Sequence, residues 1–285
     1  MTDHRSKEIE LSAGTIDYED TGGDGPVLVL THGLVMDASL WRHVVADLRD
    51  DYRCVAPTLP LGGHRHPMRP GADLSMTGIA HIVAELLERL ELNDVTLVMS
   101  DWGGPLLLAS NGASSRIARL VLVSCEAFDN VPPGLPGRMV ALAAKIPGGI
   151  NAALQPLRLR PLRRSPLALG LMTKRRIPHE VTDAWLRPAL SRRAIRRDLR
   201  KYAGSAKQGS RELLAGTARL SGFQRPALVA WAAEDRVMPR DHGRRLADLM
   251  PNARLVEIPD SRTLIPEDQP ALLAAEIRRF LEETA

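Results

Sequence analysis

The sequence predicts an α/β protein in which helices cover both sides of a mostly parallel sheet. Short apolar segments bounded by turn-forming residues recur along the chain, as buried parallel strands require. Segments with the 3–4 spacing of amphipathic helices lie between them, and this alternation is typical of strands joined by helical crossovers. The 285 residues, 44 % of them hydrophobic, suffice for one large domain or a domain with an insertion.

Seven segments are predicted to be strands, and five are predicted to be helices. The strands are 14–22, which alternates like a half-exposed strand, and the continuous apolar segments 26–33, 53–57, 95–101, 119–125, 227–235 and 253–260. The helices are 39–48, 74–90, 105–113, 240–250 and 270–282. In the second helix, the apolar residues from Ile79 to Leu90 follow the spacing of a helix with one buried face.

The interval 131–222 interrupts the alternation and carries a different charge. It holds no strand-like segment and many apolar helical segments punctuated by proline. Between Arg138 and Arg219, 19 Lys and Arg stand against four Asp and Glu, a local net charge of +15. Because the whole chain has a net charge of +4, the remainder carries −11. We therefore expect a basic helical cap at 131–222, inserted into a core formed by 1–130 and 223–285.

Several classes of protein do not fit this composition. The two cysteines, Cys54 and Cys125, lie within apolar segments and indicate neither a disulfide framework nor a metal cluster. The sequence has no secretory signal and no apolar stretch long enough to span a membrane. We expect a cytoplasmic protein with no membrane partner. Nucleic-acid binding is not expected because no aromatic residues are interleaved with the arginines. The basic cap either steers an anionic substrate or an acidic carrier, or is a solvated helix surface.

The segment TLVMSDWGGPLLLAS, residues 96–110, places a carboxylate between two apolar segments. Asp101 lies where a predicted strand meets the next helix, at the edge of a parallel sheet where ligands bind. A sharp turn there projects its central side chain into the site, and Gly103 and Gly104 let the helix pass close to the strand. The alternative interpretation is an Asp that caps the following helix. Ser100 is a weak nucleophile candidate because its side chain should turn away from the cleft.

Two other strand ends complete a recognisable pattern. His32 and Gly33 follow one buried strand, and Asp235 follows a strand after the helical insertion. In strand order, His-Gly loop, sharp turn, cap and late acid, the chain resembles the α/β-hydrolase superfamily. Asp followed by Trp-Gly-Gly is similar to the haloalkane dehalogenase and epoxide hydrolase branch.

This resemblance implies a covalent mechanism without a cofactor. Asp101 would attack an electrophilic carbon and form an alkyl ester, and Asp235 would orient a histidine that activates water. The backbone N–H groups of Leu34 and Trp102 would form the oxyanion hole. The expected partner is a small-molecule substrate. The oligomeric state is not indicated by the sequence.

The histidine that this branch carries after the last strand is missing from its expected position. That stretch reads IPDSRTLIPEDQP, and Thr263 stands where the histidine is expected. A threonine hydroxyl has no useful basicity near neutral pH. The only histidine after Asp235 is His242, which is interpreted as a solvated residue in the first turn of a helix.

Three interpretations of the missing base remain open. His64 or His66, which follow a predicted strand, supplies the base; Asp101 acts as a general acid or base; or the site binds a ligand without turning it over. The last is the non-catalytic alternative to an enzyme. The two histidines also fit a simple reading as exposed loop residues. They are a poor metal site because no third ligand is apparent in the sequence.

The features that separate the subclasses point in different directions. Trp102 matches the halide-binding tryptophan of dehalogenases, but Leu34 stands where an asparagine often supplies the second donor, and Trp185 of the cap is a possible substitute. Epoxide hydrolases usually carry a proline where this chain has Val35, and two cap tyrosines where it has only Tyr202. We expect a hydrolase-like enzyme acting through Asp101, of neither subclass in pure form.

Overall fold

The computed structural model describes residues 6–110 and 115–285, and an eight-stranded sheet lies at its centre. The strands are β1 (Lys7–Leu11), β2 (Gly14–Asp20), β3 (Val27–Thr31), β4 (Arg53–Pro57), β5 (Val95–Asp101), β6 (Ile117–Cys125), β7 (Ala227–Ala232) and β8 (Ala253–Ile258). Their order across the sheet is β1-β2-β4-β3-β5-β6-β7-β8. Strands β3 to β8 pair in parallel, whereas β2 is antiparallel to both β1 and β4. The predicted mostly parallel sheet is confirmed.

One strand was not expected from the sequence. Strand β1, KEIEL, pairs with β2 at the edge of the sheet, where only Leu11 is buried. Its charged residues face solvent, so no continuous apolar run marks it. In contrast, every residue of β5 is buried, as the apolar segment predicted.

Eleven α-helices lie in the described part of the chain, and helices flank the sheet. They are α1 (Arg42–Leu48), α2 (Met76–Arg89), α3 (Pro105–Ser110), α4 (Gly134–Ala144), α5 (Gly149–Leu154), α6 (His179–Ser191), α7 (Arg193–Gly204), α8 (Ala206–Arg219), α9 (Arg240–Leu249), α10 (Ile265–Asp268) and α11 (Pro270–Glu283). Helix α2 begins after Ser75, whose hydroxyl accepts a hydrogen bond from the Gly78 N–H at 3.1 Å. Its buried residues include Ile79, Ile82, Val83 and Leu86, the face that the spacing predicted.

The predicted helical insertion is confirmed. Helices α4 to α8 and several short 3-10 turns occupy the chain between β6 and β7, and this fully described stretch contains no strand. The insertion is joined to the end of the chain by Asp268. Its carboxylate accepts hydrogen bonds from the Thr173 hydroxyl at 2.7 Å and from the backbone N–H groups of Lys174 and Arg175 at 2.9 Å.

Some expectations fall outside the described residues. These include residues 111–113 of the helix predicted at 105–113, and the first five residues of the N-terminal segment. No helix within 6–110 and 115–285 has both the length and the apolar composition needed to cross a membrane.

Candidate active site

Asp101 is the last residue of β5 and occupies a strained turn. Its φ is +65°, and the Trp102 N–H donates a hydrogen bond to the Ser100 carbonyl at 2.7 Å, which closes a three-residue γ-turn around Asp101. A non-glycine residue rarely adopts positive φ, and such strain clusters at functional sites. The predicted sharp turn is therefore present, and Asp101 is its central residue. Ser100 is fully buried and does not line the cavity described below.

Glycines make room for this turn on both sides. A Cβ atom on Gly33 would lie 1.8 Å from Asp101 Oδ2, and one on Gly103 would lie 2.2 Å from the Glu126 carbonyl oxygen. On Gly104 it would lie 2.0 Å from the Trp102 ring. Any side chain at these positions would displace the carboxylate, the backbone behind it or the indole.

Few polar groups surround the Asp101 carboxylate. Asp101 Oδ2 accepts a long hydrogen bond, 3.3 Å, from the Leu34 N–H, and the residue is only 5 % exposed. Burial raises the pKa of Asp101 to about 7, with the Leu34 N–H acting against that rise and the charge of Asp235 adding to it. At neutral pH, the carboxyl group is therefore divided between its acid and its carboxylate form.

The two expected oxyanion-hole donors differ in this structure. The Leu34 N–H donates to Asp101 Oδ2. The backbone N–H of Trp102 instead donates its hydrogen bond to the Ser100 carbonyl. The indole of Trp102 is 1 % exposed, and its Nε1 has no hydrogen-bond partner among the described residues. The Tyr202 hydroxyl lies close to this indole without a hydrogen bond of normal geometry, so the residue that follows Asp101 carries a buried donor without a partner among the described residues.

His32 holds the loop that carries Leu34. Its Nε2 accepts a hydrogen bond from the Leu59 N–H at 2.9 Å, and its Nδ1 donates to the Gly33 carbonyl at 2.8 Å. Full burial lowers the pKa of His32 to about 4, so the ring is neutral, as these two bonds require. The ring thus fixes the position of the Leu34 N–H relative to Asp101.

Glu126 is a site residue that the sequence analysis missed. It follows β6 directly, is 2 % exposed, and its Oε2 accepts a hydrogen bond from the Gly103 N–H at 3.3 Å. Burial, together with the charge of Asp101, raises the pKa of Glu126 well above its usual value. An acid immediately after a buried strand was the signal in the sequence. It is the same signal that pointed to Asp101 and Asp235.

Asp235 lies just beyond β7 and is held tightly. Its Oδ1 accepts hydrogen bonds from the Val237 N–H at 2.9 Å, the Met238 N–H at 2.8 Å and the Thr263 hydroxyl at 2.8 Å. Burial raises the pKa of Asp235, and these donors oppose the rise. Thr263 is fully buried. The acid expected to orient a histidine therefore contacts the threonine hydroxyl instead.

The histidines proposed as replacement bases lie elsewhere. The interpretation of His64 as an exposed loop residue is wrong, because the residue is buried. Its Nε2 lies 3.4 Å from the Asp198 carboxylate of α7, and its Nδ1 accepts a hydrogen bond from the Gly62 N–H. His66 is partly exposed and lies near Glu8 and Asp17 at the sheet edge.

The solvated reading of His242 is also wrong. The residue is 4 % exposed, and its ring packs edge-on against Phe128 at 5.0 Å between ring centroids. Among the described residues, no histidine forms a hydrogen bond with Asp101 or Asp235.

One possible metal site occurs in the described chain, away from Asp101. One ligand atom from each of Glu8, Asp17 and His66 lies within 4.8 Å of the others. His64 is not part of this group, so the structure does not bring the two histidines together as a metal pair.

Asp101 opens into a cavity of about 450 Å³ beneath the inserted helices. The cavity is lined mainly by apolar residues, which include Leu34, Val35, Trp102, Val140, Leu157, Leu169, Met172, Trp185 and Val237. The acids in its wall are Asp101 and Glu126. The wall also contains one cation, Arg163, whose guanidinium contacts Thr182 and Asp183. Trp185 lines the cavity, but its N–H donates to the Ser39 hydroxyl at 2.8 Å, so it is not available as a second donor. The size and lining suit a small apolar ligand.

The model of the alpha/beta hydrolase family matches residues 28–276, which is most of the chain. The chain belongs to the alpha/beta hydrolase family. Within this family, it is 30 % identical over 282 residues to haloalkane dehalogenase 2 of Mycobacterium tuberculosis, covering 95 % of this chain and 93 % of that protein. It is 28 % identical over 294 residues to a cis-3-alkyl-4-alkyloxetan-2-one decarboxylase of Xanthomonas campestris, covering 97 % and 95 %.

Two solved structures share this fold. A haloalkane dehalogenase from Bradyrhizobium elkani superposes with a TM-score of 0.77 at 17 % identity, covering 98 % of this chain and 97 % of that one. A thermophilic esterase from Thermogutta terrifontis superposes with a TM-score of 0.74 at 23 % identity, covering 98 % and 99 %. The architecture is therefore shared between proteins described by different reactions, and the chemistry has to be argued from the site.

Proposed function

We propose that this protein is an enzyme that acts on a small apolar molecule through Asp101, whose carboxylate attacks an electrophilic carbon and becomes an alkyl ester. One observation carries the proposal: the Asp101 carboxylate faces an apolar cavity, held there by a backbone turn with positive φ. A weakly solvated carboxylate at a fixed position is a competent nucleophile once a substrate carbon is aligned with it.

An alkyl halide illustrates the step. The bond from Asp101 Oδ to the carbon forms while the carbon–halogen bond breaks, and the halide leaves with the electron pair. Trp102 Nε1, which has no partner among the described residues, is available to donate to the departing halide. Only the ionised form of Asp101 attacks, and its pKa of about 7 provides that form at neutral pH.

Hydrolysis of the ester requires a base that these contacts do not offer. In our proposal, Thr263 takes the place of the catalytic histidine, and Asp235 is used to hold the Thr263 hydroxyl. Loss of a general base typically costs about 10²–10⁴ in rate. The ester should therefore be long-lived unless the substrate's own chemistry releases it without water.

Decarboxylation of a β-lactone is a second candidate function, because it is such a reaction. It is favoured by the similarity to the Xanthomonas decarboxylase over 97 % of this chain. Attack of Asp101 on ring carbon C4 opens the C4–O bond and leaves the substrate with a free carboxylate. Loss of CO₂ then forms the C3=C4 double bond and expels Asp101 as a carboxylate. No water or proton is consumed, so no histidine is needed.

The first test uses a reactive primary alkyl bromide and intact mass spectrometry. We expect one added alkyl group per chain, located by peptide mapping within residues 96–110. The matched control is Asp101→Asn, which keeps the shape of the side chain and removes the nucleophile. A folded protein that gains no adduct, or an adduct that persists in Asp101→Asn, would refute Asp101 as the nucleophile.

The second test offers a cis-3,4-dialkyl oxetan-2-one and measures CO₂ and alkene. Repeated turnover that is lost in Asp101→Asn would favour the decarboxylase. Recovery of unchanged lactone and unchanged alkyl bromide, with ligand bound in the cavity, would instead favour the non-catalytic binding protein.

A further inference from the structure

Large apolar side chains are exposed together on one part of the inserted helices. Seven of the eight such residues in the described chain lie between residues 135 and 167, each 40–63 % exposed. We call this set the apolar patch: Leu135, Met139, Leu142, Ile146, Leu159, Leu162 and Leu167. The eighth, Leu214, lies on α8. Single exposed leucines are ordinary, but a concentration of them marks an interaction surface.

The apolar patch borders the mouth of the active-site cavity. Met139, Leu162 and Leu167 are exposed and also line the cavity, so they form part of its rim. They come from two segments, helix α4 and residues 155–171, a stretch of short 3-10 turns and connecting residues. Other residues of both segments also line the cavity wall. An apolar molecule that enters between these segments passes directly from the patch to the cavity.

The charge around the apolar patch has one sign. No Asp or Glu occurs between Asp129 and Glu180, a stretch that contains the whole patch. Five exposed cations lie between residues 135 and 167, the span of the patch: Arg138, Lys145, Arg158, Arg160 and Arg164. Arg160 contacts Asp183, which comes from α6. Apolar side chains interspersed with cations are the composition of surfaces that bind an anionic lipid interface.

We propose that the apolar patch docks on an anionic membrane surface and that apolar substrates enter the cavity from the lipid. A second copy of this chain is a poorer occupant, because pairing two patches would bring like charges together. An acidic protein would match the charge, but it would not explain why the rim of an apolar cavity is itself exposed and apolar. Docking of this kind revises the expectation of no membrane partner, which rested on the lack of a membrane-spanning segment. It does not depend on the chemistry of Asp101.

The test is flotation of the full chain with vesicles of phosphatidylcholine alone or mixed with phosphatidylglycerol. We expect binding to the mixed vesicles, weakened by salt. Leu159→Asp and Ile146→Asp should each weaken it at least about tenfold, since each removes an inserted apolar side chain. Leu214→Asp, equally polar and at a site 50 % exposed, is the control and should bind like the natural chain.

Charge-reversal variants measure the electrostatic contribution to vesicle binding. Arg138→Glu with Lys145→Glu should weaken binding by roughly fivefold or more per charge. The exposed core pair Arg89→Glu with Arg244→Glu should have little effect. Asp101→Asn should bind like the natural chain, which keeps this result separate from the proposed reaction.

Three outcomes would overturn the proposal. The first is no vesicle binding by the folded chain. The second is equal loss in Leu214→Asp and Leu159→Asp. The third is a concentration-dependent dimer, abolished by Leu159→Asp, that forms in place of vesicle binding; it would assign the patch to self-association.

Discussion

Two buried aspartates at the same edge of the sheet are held in opposite ways. Asp101, at the end of β5, receives a single hydrogen bond of 3.3 Å and lines an apolar cavity. Asp235, beyond the end of β7, has one oxygen bound by three donors at 2.8–2.9 Å and does not line that cavity. Three short hydrogen bonds hold Asp235 Oδ1 in a fixed position, although Asp235 Oδ2 has no hydrogen-bond partner among the described residues. A single long hydrogen bond leaves the Asp101 carboxylate less stabilised. From this comparison we propose that Asp101 is the reactive group and that Asp235 has a structural role.

The difference between the two aspartates is tested most strongly by making the same substitution at each. Asp101→Asn should reduce alkylation by an alkyl bromide at least about 10³-fold, because an amide is not a useful nucleophile. Asp235→Asn should leave the alkylation rate within about threefold of the natural chain. Rates come from intact mass spectra over time. Equal losses in the two variants would show that Asp235 takes part in the first chemical step.

The next largest loss of alkylation rate is expected when the space around the Asp101 carboxylate is filled. In Gly33→Ala, the new Cβ would lie 1.8 Å from Asp101 Oδ2 and push the carboxylate out of line. A misplacement of about 1 Å can cost about 10²-fold in rate, and we expect a loss of that size in alkylation. Gly71→Ala is the matched control, since no atom lies within 4 Å of its Cβ position. Full activity of Gly33→Ala would mean that the carboxylate is not confined as described.

The pH dependence follows from the raised pKa of Asp101. Burial raises this pKa from 3.8 to about 7, so the attacking carboxylate forms as the pH rises through 7. The alkylation rate should fall about tenfold for each pH unit below 7 and level off above it. The rate constant is measured between pH 5 and 9. A rate that is flat down to pH 5 would indicate a carboxylate with an ordinary pKa.

The smallest effect is expected at Thr263. Thr263→Val removes the hydroxyl that donates a hydrogen bond to Asp235, so the buried Asp235 carboxylate loses one of its donors. The free energy of unfolding should fall by about 1–3 kcal/mol in urea titration, with alkylation unchanged. Thr263→Ser keeps the hydroxyl and should recover most of the loss. A strong loss of alkylation in a stable Thr263→Val protein would give Thr263 a role in the chemistry.

The sequence placed the two aspartates better than it described their surroundings. Asp101, Asp235 and the Leu34 N–H were predicted because each follows a buried strand, and the ends of parallel strands converge. Glu126 also follows a buried strand. It was overlooked because no pair of glycines comes after Glu126 to indicate a sharp turn, as Gly103 and Gly104 do after Asp101. Strand position is a local property, so it is readable from the sequence.

What the sequence could not give were contacts between distant segments. His64 lies in a Gly- and Pro-rich loop that reads as exposed, yet Asp198, far along the chain, buries it. His242 is covered in a similar way by Phe128. The hydrogen bond from Thr263 to Asp235 is also such a contact. Local composition reports none of these, because each depends on how the inserted helices and loops pack.

The lifetime of the ester on Asp101 tests the central claim most directly. The chain is alkylated, the excess alkyl bromide is removed, and intact mass is followed with time while free alcohol is measured. If Asp235 and Thr263 form a structural pair without a base, the added mass persists and alcohol release stays about 10²–10⁴-fold slower than in an enzyme with a general base. A rapid return to the unmodified mass, with one alcohol released per chain, would show that a base adjoins Asp101 and would contradict the account.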